Sequence, residues 1–299
     1  MASSAEKFGQ CPLLEHHTTS LIFNDPPYHT VVRKLISGAF TPRKLREMEA
    51  LIETIVDDLL DTIAEQNTID MVADFGTILP TEIISFMLGI PKEFRQKLRG
   101  YSISILGALD PVVSNERMLA GNQAVTEFSD ILNDLINYRR ENPDSAQQGE
   151  VLENLIFGEH EGRKLDQKEL IQNCIFLLNA GHETTTSLVS NSVSLFLDHP
   201  EQHQKLLDDP TLIEGAVEEC LRVESPLQIG NRQAATDFSF GDHKIKKGTY
   251  IHTSIAGANR DPSVFADPHK FDIERKNNKH IAFITGIHVC LGATLARME

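Results

Sequence analysis

The sequence is short of basic charge. It has 28 Lys and Arg against 43 Asp and Glu, a formal net charge of -15, and a pI near 5.2. A general nucleic-acid binder needs the reverse balance to neutralise phosphates, so that class is excluded. Cysteines are few and scattered: Cys11, Cys174, Cys220 and Cys290 include no CxxC or other close pair. Neither a zinc knuckle nor a disulfide framework fits that spacing. Cys174 and Cys220 fall on apolar faces of predicted helices, where a thiol behaves as a small hydrophobe. Residues 1–12 lack the apolar stretch of a signal peptide. The longest apolar candidate, residues 171–197, is interrupted by Asn173, Asn179, His182, Glu183 and Asn191. A bilayer-spanning helix wants about 20 mostly apolar residues. No membrane association is expected, and scattered thiols fit a cytoplasmic location.

Hydrophobic residues make up 40% of the chain, enough for a substantial core. Repeats, low-complexity tracts and linkers are missing, so residues 1–299 read as a single domain. The first two-thirds is helical in pattern. Val31, Val32, Leu35 and Ile36 form a stripe in residues 28–40, after the start signal Asp25-Pro26-Pro27. Thr41-Pro42 opens a second long stripe ending near Ile63, and residues 71–88 carry a third. Residues 111–138 have helical spacing, and the polar residues 141–149 read as a loop. Asp166 with Glu169 makes a capping box for a very long helix that stops at His199-Pro200. Pro200 and Pro210 mark the starts of two more helices, the second ending near Arg222. After Pro226 the texture changes. Residues 238–254 predict short strands, residues 259–278 a meandering loop, and residues 291–299 a last helix. The fold class is mainly α with a small β region.

Three places carry chemistry. In the first, Phe283-Ile-Thr-Gly286-Ile-His288-Val-Cys290-Leu-Gly292, a cysteine opens a helix, whose partial positive charge stabilises a thiolate. Gly286 and Gly292 let the backbone approach a flat, bulky partner. A buried cysteine in a tight turn is the plainer alternative. The second place is Ala180-Gly181-His182-Glu183-Thr184-Thr185, midway along the longest helix, where glycine and paired threonines are poor helix formers. A local distortion is expected there, with threonine hydroxyls competing for backbone carbonyls. His182-Glu183 starts like a HExxH zinc site, but Thr186 occupies the second histidine position. The third place pairs Glu219 with Arg222 on one helix face, where a surface salt bridge is the simplest explanation.

Together these motifs resemble the cytochrome P-450 family of haem-thiolate monooxygenases, soluble bacterial type, over nearly the whole chain from about Leu21 to Glu299. The loop matches Phe-Gly-x-Gly-x-His-x-Cys-x-Gly except at Ile284, where the first glycine is expected. The resemblance implies haem b, with Cys290 as axial metal ligand and Phe283, Gly286, His288 and Gly292 in the haem loop. It assigns His288, His29, Arg33 and Arg232 to the haem propionates, and such carboxylates are costly to bury without cations. Ala180 and Gly181 map onto the oxygen-binding groove, and Thr184 and Glu183 onto the pair that hydrogen-bonds dioxygen and relays protons. Glu219 and Arg222 match the family's structural Glu-x-x-Arg. Its third, basic partner is either Lys270, in Pro268-His269-Lys270-Phe271, or Arg275.

The function implied is insertion of one oxygen atom into a small organic substrate, with electrons from a ferredoxin or flavodoxin and its reductase. Lys270, Arg275, Lys276 and Lys279 are candidates for a donor-facing surface, and Asn231 with residues 226–230 for substrate contact. The family's usual N-terminal helix and strands, and its C-terminal continuation, are not found. The P-450 fold is therefore expected to be incomplete at both termini and the chain a truncated fragment. The alternative function is a non-catalytic remnant that binds haem weakly or not at all. A helical structural protein with coincidental motifs is the remaining possibility.

Overall fold

The computed structural model describes residues 11–38, 40–109, 113–145 and 150–299. The expected helix start at Pro111 and loop residues 146–149 lie outside them, as does most of the stretch 1–12. In chain order the helices are α1 (Pro12–Thr19), α2 (Tyr28–Ser37), α3 (Pro42–Ala64), α4 (Ile78–Met87), α5 (Lys92–Leu106), α6 (Asn115–Glu141) and α7 (Leu152–Phe157). Then follow α8 (Gln167–Asp198), α9 (Pro200–Asp208), α10 (Ile213–Val223), α11 (Ile255–Ala258) and α12 (Ala293–Met298). Strands β1 (Ile229–Gln233) and β4 (Tyr250–Ser254) pair antiparallel, as do β2 (Phe238–Phe240) and β3 (His243–Ile245). The mainly α architecture with a small β region is therefore present. No single helix among the described residues is long and apolar enough to cross a membrane.

The chain divides into two compact units, residues 1–186 with 291–299, and residues 187–290. In the first, helix starts follow the sequence chemistry. Thr41 caps α3 by accepting from the Lys44 N–H with Pro42 behind it, and Ser114 caps α6 through Arg117. The capping box of α8 is complete. The Glu169 N–H donates to Asp166 Oδ1 at 2.8 Å and the Asp166 N–H to Glu169 Oε2 at 3.1 Å. One stripe departs from the reading. Residues 71–88 are not one helix but a π-helical turn, Met71–Gly76, followed by α4. Pro80 lacks an N–H and its ring would crowd the carbonyl of Gly76, so a regular helix can hold it only in its first turn. Helices α1, α5 and α7 were not anticipated, because they are short or carry mixed faces. Leu98 and Ile105 of α5 and Phe128 and Leu132 of α6 are fully buried in this unit.

In the second unit, α10 supplies the centre of a core formed by Leu188, Leu195, Cys220, Leu221, Phe271 and Ile273, with Phe283 packed against it. Gly215 sits where α10 crosses the meander. A Cβ there would lie 2.6 Å from the carbonyl oxygen of Ile273, so no larger residue allows that approach. The strand region starts earlier than residues 238–254, because β1 lies at Ile229–Gln233. From the end of α11 to Gly286 the chain meanders without a regular element, as expected.

Candidate functional site

Helix α8 presents two chemically different faces around residue 182. Ala180, Glu183 and Thr184, spaced i, i+3 and i+4, are exposed, while His182 and Thr185 are buried. His182 Nδ1 lies 3.2 Å from Ser102 Oγ of α5. Burial, helped by the Arg99 guanidinium, lowers the His182 pKa to about 4, so the imidazole is neutral near pH 7. Gly181 faces α4, and a Cβ there would meet Ile84 at ordinary contact distance. Backbone α-helix runs without interruption from Gln167 to Asp198. The threonines do bond as anticipated. Thr184 Oγ1 donates to the Ala180 carbonyl at 2.7 Å and Thr186 Oγ1 to the His182 carbonyl at 2.9 Å. These hydroxyls add to the helical ladder instead of replacing it. On α2 of the same unit, His29 is buried and Arg33 half-buried, four residues apart on one face. Gly292 is the N-cap of α12.

The cysteine loop belongs to the second unit. Cys290 is exposed, whereas Cys174 and Cys220 are buried and none of the four cysteines is in a disulfide. Burial pushes the Cys174 thiol up to about 12 and the Cys220 thiol up to about 11, so neither supplies a thiolate near neutral pH. The Cys290 N–H donates to the Phe283 carbonyl at 3.0 Å, closing the loop on its first residue. Inside it, Gly286 has φ +80°, and a Cβ there would meet nothing within 4 Å. Ile284, at the position of a family glycine, has φ +52°. That left-handed conformation is strongly disfavoured for a β-branched residue. His288 closes the 3-10 turn Gly286–His288. Arg232 is exposed on β1.

Glu219 and Arg222 form no surface bridge, as both side chains are 0% exposed. Arg222 Nε and Nη2 each meet a Glu219 carboxylate oxygen at 2.8 Å. Its remaining N–H groups donate to the carbonyls of Asn259, Pro268 and Lys270. The basic side chain completing the cluster is Arg275, whose Nε contacts the two Glu219 oxygens at 3.0 and 3.1 Å. Lys270 takes part through its backbone carbonyl, while its ammonium points to Asp272 at 3.4 Å. The planar, always-charged guanidinium suits a shared carboxylate better than a mobile ammonium. Arg275 is thereby withdrawn from any donor-facing surface, and Lys270, Lys276 and Lys279 are the exposed cations of that stretch. Sequence reading passed over Asn259, Asn278 and His280. Asn278 Nδ2 donates to Glu219 Oε2 at 3.0 Å, and His280 Nε2 meets Glu218 Oε2 at 2.9 Å. Only the placement of His280 just ahead of the Phe283 motif hinted at a role.

The residues fit a haem. Among the described residues no group of three or more His, Cys, Asp or Glu is arranged to hold a metal ion. An exposed thiol in a glycine-containing loop suits an iron that brings its own four nitrogen ligands.

Comparison with known proteins agrees with that chemistry. The family model described as cytochrome P-450 matches residues 6–299. The chain is 38% identical over 279 residues to the biotin biosynthesis cytochrome P-450 of Bacillus subtilis (strain 168), covering 93% of this chain and 69% of that protein. It is 38% identical over 280 residues to the polyketide biosynthesis cytochrome P-450 PksS of the same organism, covering 93% and 67%. A crystal structure of P-450BioI with an acyl carrier protein ligated to hexadec-9Z-enoic acid superposes with a TM-score of 0.92 at 36% identity. That match covers 100% of this chain and 75% of the other.

Proposed function

Because the chain belongs to the cytochrome P-450 family of haem monooxygenases, we propose that Cys290 ligates the haem iron for oxygen insertion into a small organic substrate. Haem held by a thiolate supplies dioxygen activation and the oxygen-atom transfer. The observation that carries the reading is the contrast among the thiols. Cys290 is exposed on a loop closed by its own N–H, while Cys174 and Cys220 are buried and resist ionisation.

The other residues hold, orient and protonate. His29 and Arg33 on α2, with Arg232 and His288, are the groups proposed for the haem propionates, which are costly to bury without such partners. Phe283 holds the loop that carries Cys290, Gly286 and Gly292 leave open space where a Cβ would stand, and Ala180 keeps the exposed α8 face low while Gly181 beside it packs toward Ile84. The Thr184 hydroxyl, donating to the Ala180 carbonyl, keeps its lone pairs available to accept a proton donor. Glu183, exposed one residue before it, exchanges protons with solvent. Leu227 and Ile229 expose apolar side chains in the segment proposed, with Asn231, to touch substrate. A ferredoxin or flavodoxin with its reductase is the proposed electron source. Exposed Lys270, Lys276 and Lys279 would attract an acidic partner, and the proposed location is the cytoplasm.

The test is the spectrum of the reduced, CO-treated protein. Unaltered chain is expected to show the Soret band of thiolate ligation, and Cys290→Ser to lose it while keeping its helical circular dichroism. A chain that takes up no haem, or a Cys290→Ser variant with an unaltered band, overturns the assignment.

A further inference from the structure

We infer that His280 is a positioning residue that holds the Cys290 loop in shape by latching it to Glu218 of α10, an inference that rests on reading Cys290 as the haem ligand. The His280 side chain is 3% exposed. Its Nδ1 accepts from the Ala282 N–H at 3.2 Å, which places the ring proton on Nε2. That Nε2–H donates to Glu218 Oε2 at 2.9 Å. The ring also packs against Phe283, with centroids 6.2 Å apart and planes tilted by 51°. Phe283 in turn accepts the Cys290 N–H through its carbonyl. A continuous set of contacts therefore runs from α10 through the imidazole to the backbone of Cys290.

A second anchor holds the same segment. Asn259, fully buried, accepts the Ile281 N–H at Oδ1 (2.8 Å) and donates from Nδ2 to Ser225 Oγ (2.8 Å). Its own carbonyl receives Arg222 Nη1 at 2.9 Å. Between these anchors and Cys290 the chain passes through Ile284 at φ +52° and Gly286 at φ +80°. Ile284 would not choose a left-handed conformation unaided. Such strain persists only where neighbouring contacts over-determine it, so the anchors and not local preference set the course of the loop. The position requires a side chain that accepts from a backbone N–H while donating to a carboxylate. Imidazole does both within one rigid ring. Phenylalanine keeps the packing on Phe283 and loses both bonds, whereas glutamine keeps a donor toward Glu218.

The experiment compares the full chain with His280→Phe, His280→Gln and Glu218→Gln by backbone amide exchange and by the reduced CO spectrum. Loss of a buried hydrogen bond to a charged group is expected to speed Cys290 amide exchange in His280→Phe by about tenfold or more. Amides inside α8 should keep their rates. Part of the CO-bound population should also shift from the thiolate-type to the thiol-type Soret band. His280→Gln should recover most of the protection, and Glu218→Gln should fall between. Lys246→Ala, which cuts the exposed pair with Asp237, should change nothing. Unaltered exchange and spectrum in His280→Phe overturn the latch. Should that variant not fold, unchanged Cys290 exchange in Glu218→Gln overturns it equally. Absence of a thiolate band in the unaltered chain sinks the ligand assignment instead, and leaves the exchange arm still able to decide the latch.

Discussion

Both oxygens of Glu219 are shared among Arg222, Arg275, Asn278 and the Asp272 N–H, and each N–H of Arg222 has an acceptor. The face of α8 carrying Ala180, Glu183 and Thr184 is built the other way. It is exposed, with Thr184 turned back on a carbonyl of its own helix. The first region spends its polar groups on one another and so determines shape. The second keeps its polar groups accessible and so can meet other molecules. Buried ions tolerate this only when paired and fully hydrogen-bonded, whereas exposed hydroxyls and carboxylates need no partner to be stable.

Glu219→Gln tests that contrast most severely. It keeps the shape but leaves Arg222 and Arg275 short of the charge that compensates them. Breaking a buried pair in this way costs about 3–5 kcal/mol, to be read from urea unfolding with far-ultraviolet circular dichroism. A loss below about 1 kcal/mol, the range of an exposed ion pair, would break the comparison.

That cluster also shows what the sequence could reveal. The i, i+3 spacing of Glu219 and Arg222 was legible, and so was the Asp166–Glu169 capping box, because both are local. The identity of the third partner was not, since Lys270 and Arg275 lie in the same irregular loop. Only the tertiary course of the meander puts one at the carboxylate and turns the other toward Asp272. Periodicity found α2, α3 and α8, whose apolar stripes are long. It merged Met71–Gly76 with α4, because the stripe continues across a turn that Pro80 forbids to be regular helix. The backward bonding of the α8 threonines was legible because it too is local, since each hydroxyl meets a carbonyl one turn earlier in an uninterrupted helix.

The two faces of α8 can be separated by pH. His182 is 3% exposed and its pKa is lowered from 6.5 to about 4, mainly by burial. Above pH 6.5 the ring is neutral folded or unfolded and costs nothing. As pH falls from 6.5 toward 4 the unfolded chain takes up the proton first, so stability drops across that window and levels below it. His16, buried and bonded through Nδ1 to Gln172, is lowered to about 4 as well and acts in the same window. Each contributes on the order of 2–3 kcal/mol. Unfolding free energies measured from pH 7 to pH 4 should fall, and His182→Phe should make the slope shallower. An unchanged slope in that variant would show that the buried face does not titrate as described.

Thr184→Ala probes the accessible face. Loss of the hydroxyl that positions a proton donor lowers the rate by about a hundredfold, seen as less product per electron delivered. An exposed side chain bonded only within its helix should change stability by less than about 0.5 kcal/mol. A variant that is destabilised but turns over normally would place Thr184 among the shape-determining residues and erase the distinction.

The smallest effect lies at Ile284, where the chain bends into the cysteine loop. Relief of a left-handed β-branched residue is worth about 1–2 kcal/mol. Ile284→Gly recovers that, but gives back a similar amount through the freer unfolded chain and the lost packing of a half-buried side chain. Net stability should therefore stay within about 1 kcal/mol of the unaltered chain. Ile284→Ala loses the packing and keeps the strain, so the glycine variant should be the more stable of the two by about 1 kcal/mol. That order reverses the usual ranking of alanine over glycine, which makes it informative despite its size. Equal stabilities, or alanine ahead, would mean that the loop relaxes out of the left-handed region. Its shape would then come from local preference and not from the anchors at Asn259 and His280.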